Sequence, residues 1–247
     1  MNRKITGLVI AQKNYRESDR LVTLLHSGGI TRAYAKAAQN VKSKKFAGTA
    51  LFCYADFVLH EGKSGLYIID SADEKEVFFG LRQDIERLAL AQYFCELLAS
   101  VTPETADVSD VLRLCLNSLY CLCETQKSVY AIKSVFELRL MCELGFLPNL
   151  VACTECGKYE DKVMYFDPVD ALLYCGSCVP KKPGILRLTP ACLAALRHIA
   201  LSEFSRIFSF SATDETMRAV SDITEKYVLA RVEKNFKTLK YFNSVRI

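Results

Sequence analysis

The sequence predicts an α+β protein: a small barrel of short strands comes first, and a helical bundle with an inserted cysteine-rich module follows. Three observations lead to this prediction. Between residues 5 and 70, short apolar runs alternate with turn residues and show no helical period. From Leu81 onward the apolar residues recur at helical spacing. Two Cys-X-X-Cys pairs then interrupt the helical part of the chain.

Five segments of the N-terminal part are predicted strands. They are rich in apolar, aromatic or β-branched residues and span residues 5–10, 21–25, 32–36, 50–60 and 66–70. The segment 61–65 (Glu-Gly-Lys-Ser-Gly) supplies turn residues before the last of them. So many strands in so short a stretch favour a closed barrel over an open sheet, because closure removes the exposed edges. We therefore expect an OB-fold β-barrel.

Helical spacing of apolar residues predicts five helices after the barrel. They span about residues 81–100, 108–123, 128–144, 189–202 and 214–241. Thr189 is a predicted N-cap, and Pro190 suits the first helical position. The predicted domains are an OB fold over 1–80, the first part of an α-helical bundle over 81–150, a zinc-ribbon insert over 151–182 and the C-terminal part of the bundle over 183–247.

Positive charge is concentrated near the N-terminus. The whole chain has 32 Lys and Arg against 28 Asp and Glu, a net charge of +4. The first 48 residues, however, hold ten of the cations and only two acids, Glu17 and Asp19. The segment 32–48 contains five cations and no acid. This asymmetry is typical of a protein that binds a polyanion, because neutralising phosphates releases condensed counterions.

The predicted nucleic-acid-binding residues lie in and before this segment. They are Arg16, Arg20, Arg32, Tyr34, Lys36, Lys42, Lys44 and Lys45. Arg32, Tyr34 and Lys36 alternate onto one strand face, and the later lysines lie on the loop that follows. The rings of Tyr34, Phe46, Phe52 and Tyr54 are interleaved with the cations. Such rings let bases stack while cations hold phosphates, with little preference for base order. A solvated charged face is the alternative interpretation.

Four cysteines form the most specific motif of the sequence. They are Cys153, Cys156, Cys175 and Cys178, and we predict that they bind one structural zinc ion. Two residues between thiolates allow a tight turn to point both sulfurs at one ion, and two such turns complete a tetrahedral site. Iron is the alternative metal, and two unrelated cysteine pairs are the alternative without a metal. Four thiolates leave no position open for a reactive water, so we expect no enzyme activity.

Other features of the sequence argue against common classes of enzyme and against a membrane or secreted protein. The three histidines are scattered, and no Gly-rich phosphate loop, nucleophile elbow or Ser-His-Asp pattern occurs. No run of about 18 uncharged apolar residues is present, and the N-terminus does not have the pattern of a signal peptide. We expect a cytoplasmic protein that does not associate with a membrane.

Several segments of the chain resemble the bacterial RecO recombination mediators. Residues 15–25 (Tyr-Arg-Glu-Ser-Asp-Arg-Leu-Val-Thr-Leu-Leu), followed by Gly29, residues 33–38 and Lys42-Ser43, are similar to the opening of that family. Residues 80–88 resemble its first bundle helix. Residues 136–140 together with 144–148 resemble the helix that leads into its zinc ribbon. With the cysteine quartet, the resemblance covers essentially the whole chain.

The resemblance implies a function in recombinational DNA repair without catalytic turnover, in the bacterial cytoplasm at the nucleoid. RecO-like proteins bind single- and double-stranded DNA, anneal complementary strands and, with RecR, help RecA load onto strands coated by the single-strand-binding protein. Lys36 and Lys42 match basic sites of the family's barrel, whereas Gln39-Asn40 stand where many relatives carry Arg. The acidic tail of the single-strand-binding protein docks on the family's helical domain, and Lys133 and Arg139 are the candidate residues here.

Three other functions stay open at this point. A zinc-dependent hydrolase or nuclease would need an exchangeable metal with an open ligand position. A protein-interaction scaffold would use the basic loop against an acidic protein surface. An RNA-binding translation or ribosome factor would share the OB fold and the zinc ribbon, and a comparison of DNA with RNA would separate it from a DNA-binding protein.

Overall fold

Alternating side chains of the N-terminal segments close five strands into a barrel. In the computed structural model the strands are β1 (Asn2–Tyr15), β2 (Asp19–His26), β3 (Gly29–Ala35), β4 (Cys53–Glu61) and β5 (Tyr67–Val77). Their order is β1-β2-β3-β5-β4, and β4 pairs back onto β1. Only β3 and β5 are parallel to each other. Inward-facing residues of β4, such as Phe57 and Leu59, fill the barrel core. The predicted α+β class with an OB-like barrel is confirmed.

The structure describes residues 2–62 and 65–246. Lys63 and Ser64 of the predicted turn lie outside the described residues. The chain forms two compact units, Met1–Thr125 with Phe236–Ile247, and Gln126–Asn235. The helices are α1 (Ile85–Val101), α2 (Ser109–Glu124), α3 (Val129–Glu143), α4 (Pro190–Leu201), α5 (Asp214–Val232) and α6 (Lys237–Val245). Within the described ranges, no helix is long and apolar enough to cross a membrane.

The first two helices pack with the barrel, whereas the sequence assigned all helices to one bundle. Backbone hydrogen bonds connect the β2–β3 turn to the segment that joins α1 and α2: Ile30 N donates to Pro103 O at 3.2 Å, and Val108 N donates to Ser27 O at 2.8 Å. The guanidinium of Arg87 on α1 donates to the carbonyl of Leu122 at 2.7 Å and satisfies the C-terminal end of α2. The unit of residues 1–125 and 236–247 therefore combines the barrel with α1, α2 and α6.

The predicted helix over 214–241 is wrong, because the chain turns between two shorter helices. Helix α5 ends at Val232, and Glu233 takes a left-handed conformation with φ of 52°. The N–H of Glu233 donates to Leu229 O at 3.0 Å and closes the last turn of α5. The ring of Phe236 then packs against Tyr93 of α1, with 5.8 Å between ring centroids. Burial of this aromatic side chain fixes the start of α6 on α1.

A buried charged cluster connects α3 to α5 in the unit of residues 126–235. Lys133 is fully buried, and its Nζ lies 2.9 Å from Glu137 Oε2 and 3.0 Å from Glu225 Oε2. Nζ also donates to the carbonyl of Ser221 at 3.2 Å, and Thr224 Oγ1 donates to Glu137 at 2.6 Å. Burial raises the pKa of Glu137, and Lys133 opposes that shift only in part. The cluster is stable only while its charges stay paired.

We expect Lys133→Ala to lower the free energy of unfolding by about 3–5 kcal/mol, because it leaves a buried carboxylate without its cation. Lys226→Ala is the matched control, since that lysine is exposed on the same helix as Glu225. It should change stability by about 0.5 kcal/mol or less. Urea unfolding followed by circular dichroism measures both. Equal stability of the two variants would contradict the role given to the buried lysine.

Candidate nucleic-acid interface and metal centre

The connection between β3 and β4, residues 36–52, carries the basic loop and is held to the barrel by Arg20. The Arg20 guanidinium donates to Phe46 O at 2.7 Å and to Thr49 Oγ1 at 3.2 Å. Its Cζ lies 4.8 Å from the centroid of the Phe46 ring. Only 8% of Arg20 is exposed. The prediction that Arg20 contacts nucleic acid is therefore corrected: burial within the fold turns this cation inward, where it positions the connection.

Asp19 holds the beginning of the same connection. Its carboxylate accepts a hydrogen bond from Ala37 N at 2.7 Å and a short one from the Tyr34 hydroxyl. The Tyr34 hydroxyl, and after it the Ala37 N–H, lowers the pKa of Asp19, so the carboxylate is ionised at neutral pH. The amide of Gln39 donates to the Asp19 carbonyl at 2.7 Å. Gln39 thereby joins the connection to β2.

The remaining predicted cations divide into four that are exposed without a described ion pair and two that contact other groups of the protein. Four of them are exposed at the rim of the barrel, and we call Arg16, Lys36, Lys42 and Lys44 the rim cations. Arg32 is also exposed, but it pairs with Glu104 at 2.7 Å. Lys45 is half-buried, and its Nζ donates to Ile69 O at 3.3 Å. The rim cations therefore carry the charge that a phosphate backbone could reach most directly.

The structure changes which aromatic ring is best placed beside these cations. Phe52 is buried, and Phe46 lies under the Arg20 guanidinium. Tyr34 is half-buried with its hydroxyl bonded to Asp19. Tyr15, which the sequence analysis missed, is 41% exposed and lies next to the rim cation Arg16. The sequence signal for Tyr15 was its position directly before the polar turn Arg-Glu-Ser. An aromatic residue at that point ends a strand and lies outside the core.

Neither predicted partner-binding residue lies on a free surface of the helical unit. Lys133 is corrected, because it is fully buried in the charged cluster described above. The Arg139 guanidinium donates to Glu143 Oε1 at 2.6 Å and to the carbonyl of Ser202 at 2.9 Å. It thereby satisfies the C-terminal end of α4. Periodicity alone did not reveal these roles, because lysine and arginine are ordinarily expected on the outer face of a helix.

The four predicted metal ligands converge on one point. The Sγ atoms of Cys153, Cys156, Cys175 and Cys178 all lie within 4.8 Å of one another. Cys156 Sγ and Cys175 Sγ are 3.6 Å apart. A tetrahedral zinc ion with bonds of about 2.3 Å would separate its sulfur ligands by about 3.8 Å, so the cluster has the right size. The prediction of a four-cysteine metal site is confirmed at this level.

Short strands and tight turns build this site. The strands β6 (Met164–Asp167), β7 (Leu172–Cys175) and β8 (Leu186–Leu188) form a sheet in the order β7-β6-β8. Thr154 N donates to Leu173 O at 2.8 Å and brings the first cysteine pair to β7. Gly157 has a φ of +71° and donates its N–H to Cys153 O at 2.9 Å, a turn that favours glycine. Cys178 N donates to Cys175 O at 3.1 Å, so backbone hydrogen bonds shape the turns of both cysteine pairs.

The thiols of the site have different pKa values, because hydrogen bonds with the Cys175 and Cys156 side chains raise the pKa of Cys178 to about 12 whereas that of Cys153 is lowered. Burial raises the pKa of the Cys153 thiol, but backbone N–H groups of Cys156 and Cys175 outweigh burial and lower it to about 6. Cys153 is therefore largely a thiolate at neutral pH, which is the form that binds metals. A donor set of four sulfurs and no oxygen suits zinc or iron better than magnesium or calcium.

We expect the purified protein to contain one metal ion per chain. Cys153→Ser should lose that ion and destabilise the unit of residues 126–235, because the ion cross-links two backbone turns. Cys123→Ser is the control, since Cys123 lies on α2 and outside the cluster. Elemental analysis of both variants, with thermal unfolding in the presence and absence of a chelator, measures the effect. Full metal content in Cys153→Ser would contradict the assigned ligand set.

Comparisons with known proteins relate almost the whole chain to one family. Residues 1–78 match the family model "Recombination protein O N terminal", and residues 82–240 match "Recombination protein O C terminal". The chain is 34% identical over 243 residues to the DNA repair protein RecO of Acetivibrio thermocellus, with 98% of this chain and 96% of the relative covered. It is 29% identical over 246 residues to the protein of that name from Symbiobacterium thermophilum, with 98% and 97% covered. The chain belongs to the RecO family of DNA repair proteins.

Proposed function

We propose that this protein binds and anneals single-stranded DNA and, with RecR, promotes RecA loading onto strands coated by the single-strand-binding protein. Its place would be recombinational repair in the bacterial cytoplasm, at the nucleoid. The observation that carries the proposal is the set of rim cations: Lys36, Lys42 and Lys44 lie on a connection that Asp19 and Arg20 fix to an OB-like barrel, and Arg16 lies in the turn between β1 and β2. Membership of the RecO family supports DNA as the polyanion, with double-stranded DNA as a second substrate.

The proposed mechanism is binding without catalysis. Annealing requires that two polyanions approach each other, and fixed cations lower their repulsion without reading either base order. The connection is ordered before DNA arrives, because successive turns are closed by Ser43 N to Asn40 O at 2.8 Å and Phe46 N to Ser43 O at 3.0 Å. A pre-ordered surface loses less conformational entropy on binding than a flexible loop does. The metal, which we propose is zinc, would serve only to stabilise the cysteine-bearing sheet.

We expect the affinity for single-stranded DNA to fall steeply with salt. Four phosphate contacts correspond to a slope of log affinity against log salt of roughly −3. Replacing Lys36, Lys42 and Lys44 by Ala should make that slope shallower by about 2 and weaken binding for all base sequences alike. Fluorescence anisotropy with oligonucleotides of several sequences measures this.

The matched control for the rim variant replaces three exposed lysines of the other unit, Lys162, Lys181 and Lys226, by Ala. It removes the same charge and should leave the slope almost unchanged. An affinity that does not change with salt, or an equal loss of affinity in both triple variants, would contradict the assignment of the rim cations as the DNA-binding site. Stronger binding to RNA of the same sequence would favour the RNA-binding alternative, and binding only to an acidic protein would favour the scaffold.

The tail of the single-strand-binding protein requires a new docking site, because Lys133 and Arg139 are engaged inside the fold. We place it at a cavity of about 200 Å³ in the same unit. Its lining includes Lys127, Ala131, Val135, Phe208, Phe210, Asp214 and Met217. The apolar members suit the hydrophobic end of the tail.

We expect Ala131→Trp to fill this cavity and weaken binding of an acidic tail peptide at least about tenfold, through loss of the apolar pocket. Ala219→Trp, at an exposed position on α5, is the control and should bind normally. Peptide anisotropy measures both, with circular dichroism and the metal content of the cysteine cluster, which lies in the same unit, as checks that each variant is folded. Unchanged peptide affinity in a folded Ala131→Trp protein would place the tail elsewhere.

A further inference from the structure

We propose that Tyr15, with Arg16 beside it, forms a stacking site for one unpaired nucleobase at the rim of the barrel. This inference rests on the proposed binding of single-stranded DNA and assigns a role that the cations cannot perform. Tyr15 is the last residue of β1, and 41% of it is exposed. The guanidinium carbon of Arg16 lies 5.3 Å from the centroid of its ring. An exposed ring and a guanidinium at such close range can together hold a flat base.

A second ring supports Tyr15 from within the protein. The ring of Tyr34 meets it almost perpendicularly, at 82° and with 5.8 Å between centroids. Tyr34 is itself fixed, because its hydroxyl donates to Asp19 and Asp19 accepts the N–H of Ala37. The Tyr15 ring is therefore braced on its inner side, and a base that stacks on it would not have to order a mobile side chain.

The turn that follows Tyr15 has an unusual backbone. Arg16 adopts φ of 52°, in the left-handed region that residues other than glycine rarely occupy. Such a conformation persists only where the surroundings hold it, and here Gln39 N donates to Ser18 O at 2.8 Å. The turn is thereby joined to the connection that carries the rim cations. The loop between the first two strands is also a surface with which OB barrels bind oligonucleotides.

The neighbouring charges identify the ligand as a nucleic acid strand. Ala37, whose N–H Asp19 accepts, directly follows the rim cation Lys36. A strand whose phosphates lie on Lys36 and Arg16 would bring a base to the Tyr15 ring. An internal base of a duplex is stacked on both faces and held by its pair, whereas a base of a single strand can turn out of the stack and meet the ring. Tyr15 would therefore favour single strands over duplexes, whereas phosphate contacts serve both.

The test uses the full-length protein and short oligonucleotides that carry one 2-aminopurine, whose fluorescence falls when it stacks on an aromatic ring. We expect Tyr15→Leu to weaken single-strand binding about tenfold, to leave duplex binding unchanged and to abolish the quenching. Tyr15→Phe should keep both affinity and quenching, because the ring is retained. Tyr120→Leu, which removes another exposed tyrosine on α2, is the control and should behave like the unmodified protein.

The outcomes separate this inference from the proposed function. Normal salt-dependent binding with quenching intact in Tyr15→Leu would overturn the stacking site and leave the DNA-binding proposal standing. An equal loss of single-strand and duplex affinity in Tyr15→Leu would show that Tyr15 only supports the rim, which also overturns the inference. No binding of single-stranded DNA by the unmodified protein at low salt would overturn both.

Discussion

Two adjacent side chains at the start of β2, Asp19 and Arg20, determine where the positive charge of this protein lies. Between them they fix both ends of a connection that is rich in small residues and has neither helix nor strand of its own. Arg20 is buried and donates to Phe46 O, while Asp19 accepts from Ala37 N. Without these bonds, residues 36–52 would have to be ordered by the ligand, at a cost in conformational entropy for every residue held. Because this conformational entropy is already lost on folding, the cations on the connection are in place before a ligand binds.

The unit of residues 126–235 is held together by different means. Four cysteine sulfurs converge beside the small sheet, and the Lys133 cluster joins α3 to α5. The Lys133 cluster places charge in the interior, where an unpaired ion is very unfavourable and a paired one specifies a single arrangement. Charge in this unit therefore serves mainly to define the fold. At the barrel rim, by contrast, the cations face water and remain available for a ligand.

Much of this architecture could be predicted from local patterns. The alternation of apolar and polar residues in β4 predicts a strand with one buried face, and the spacing of the cysteines predicts that their sulfurs converge. The helix start at Thr189-Pro190 follows from capping chemistry. Features that depend on distant partners were missed. The buried roles of Arg20 and Lys133 require neighbours that are remote in sequence, and a lone cation gives no sign of them. The end of α5 at Val232 lacks a glycine or proline signal, since Glu233 itself takes the left-handed conformation that ends the helix.

The central claim is that fixed cations at a barrel rim allow two complementary strands to meet. Fluorescence transfer between labelled complementary single strands, mixed with the protein across a salt series and with or without the single-strand-binding protein already bound, tests it most directly. We predict annealing that is much faster than the spontaneous reaction, that continues on coated strands and that slows as salt rises. Bound strands that anneal no faster than free ones at low salt would contradict the account.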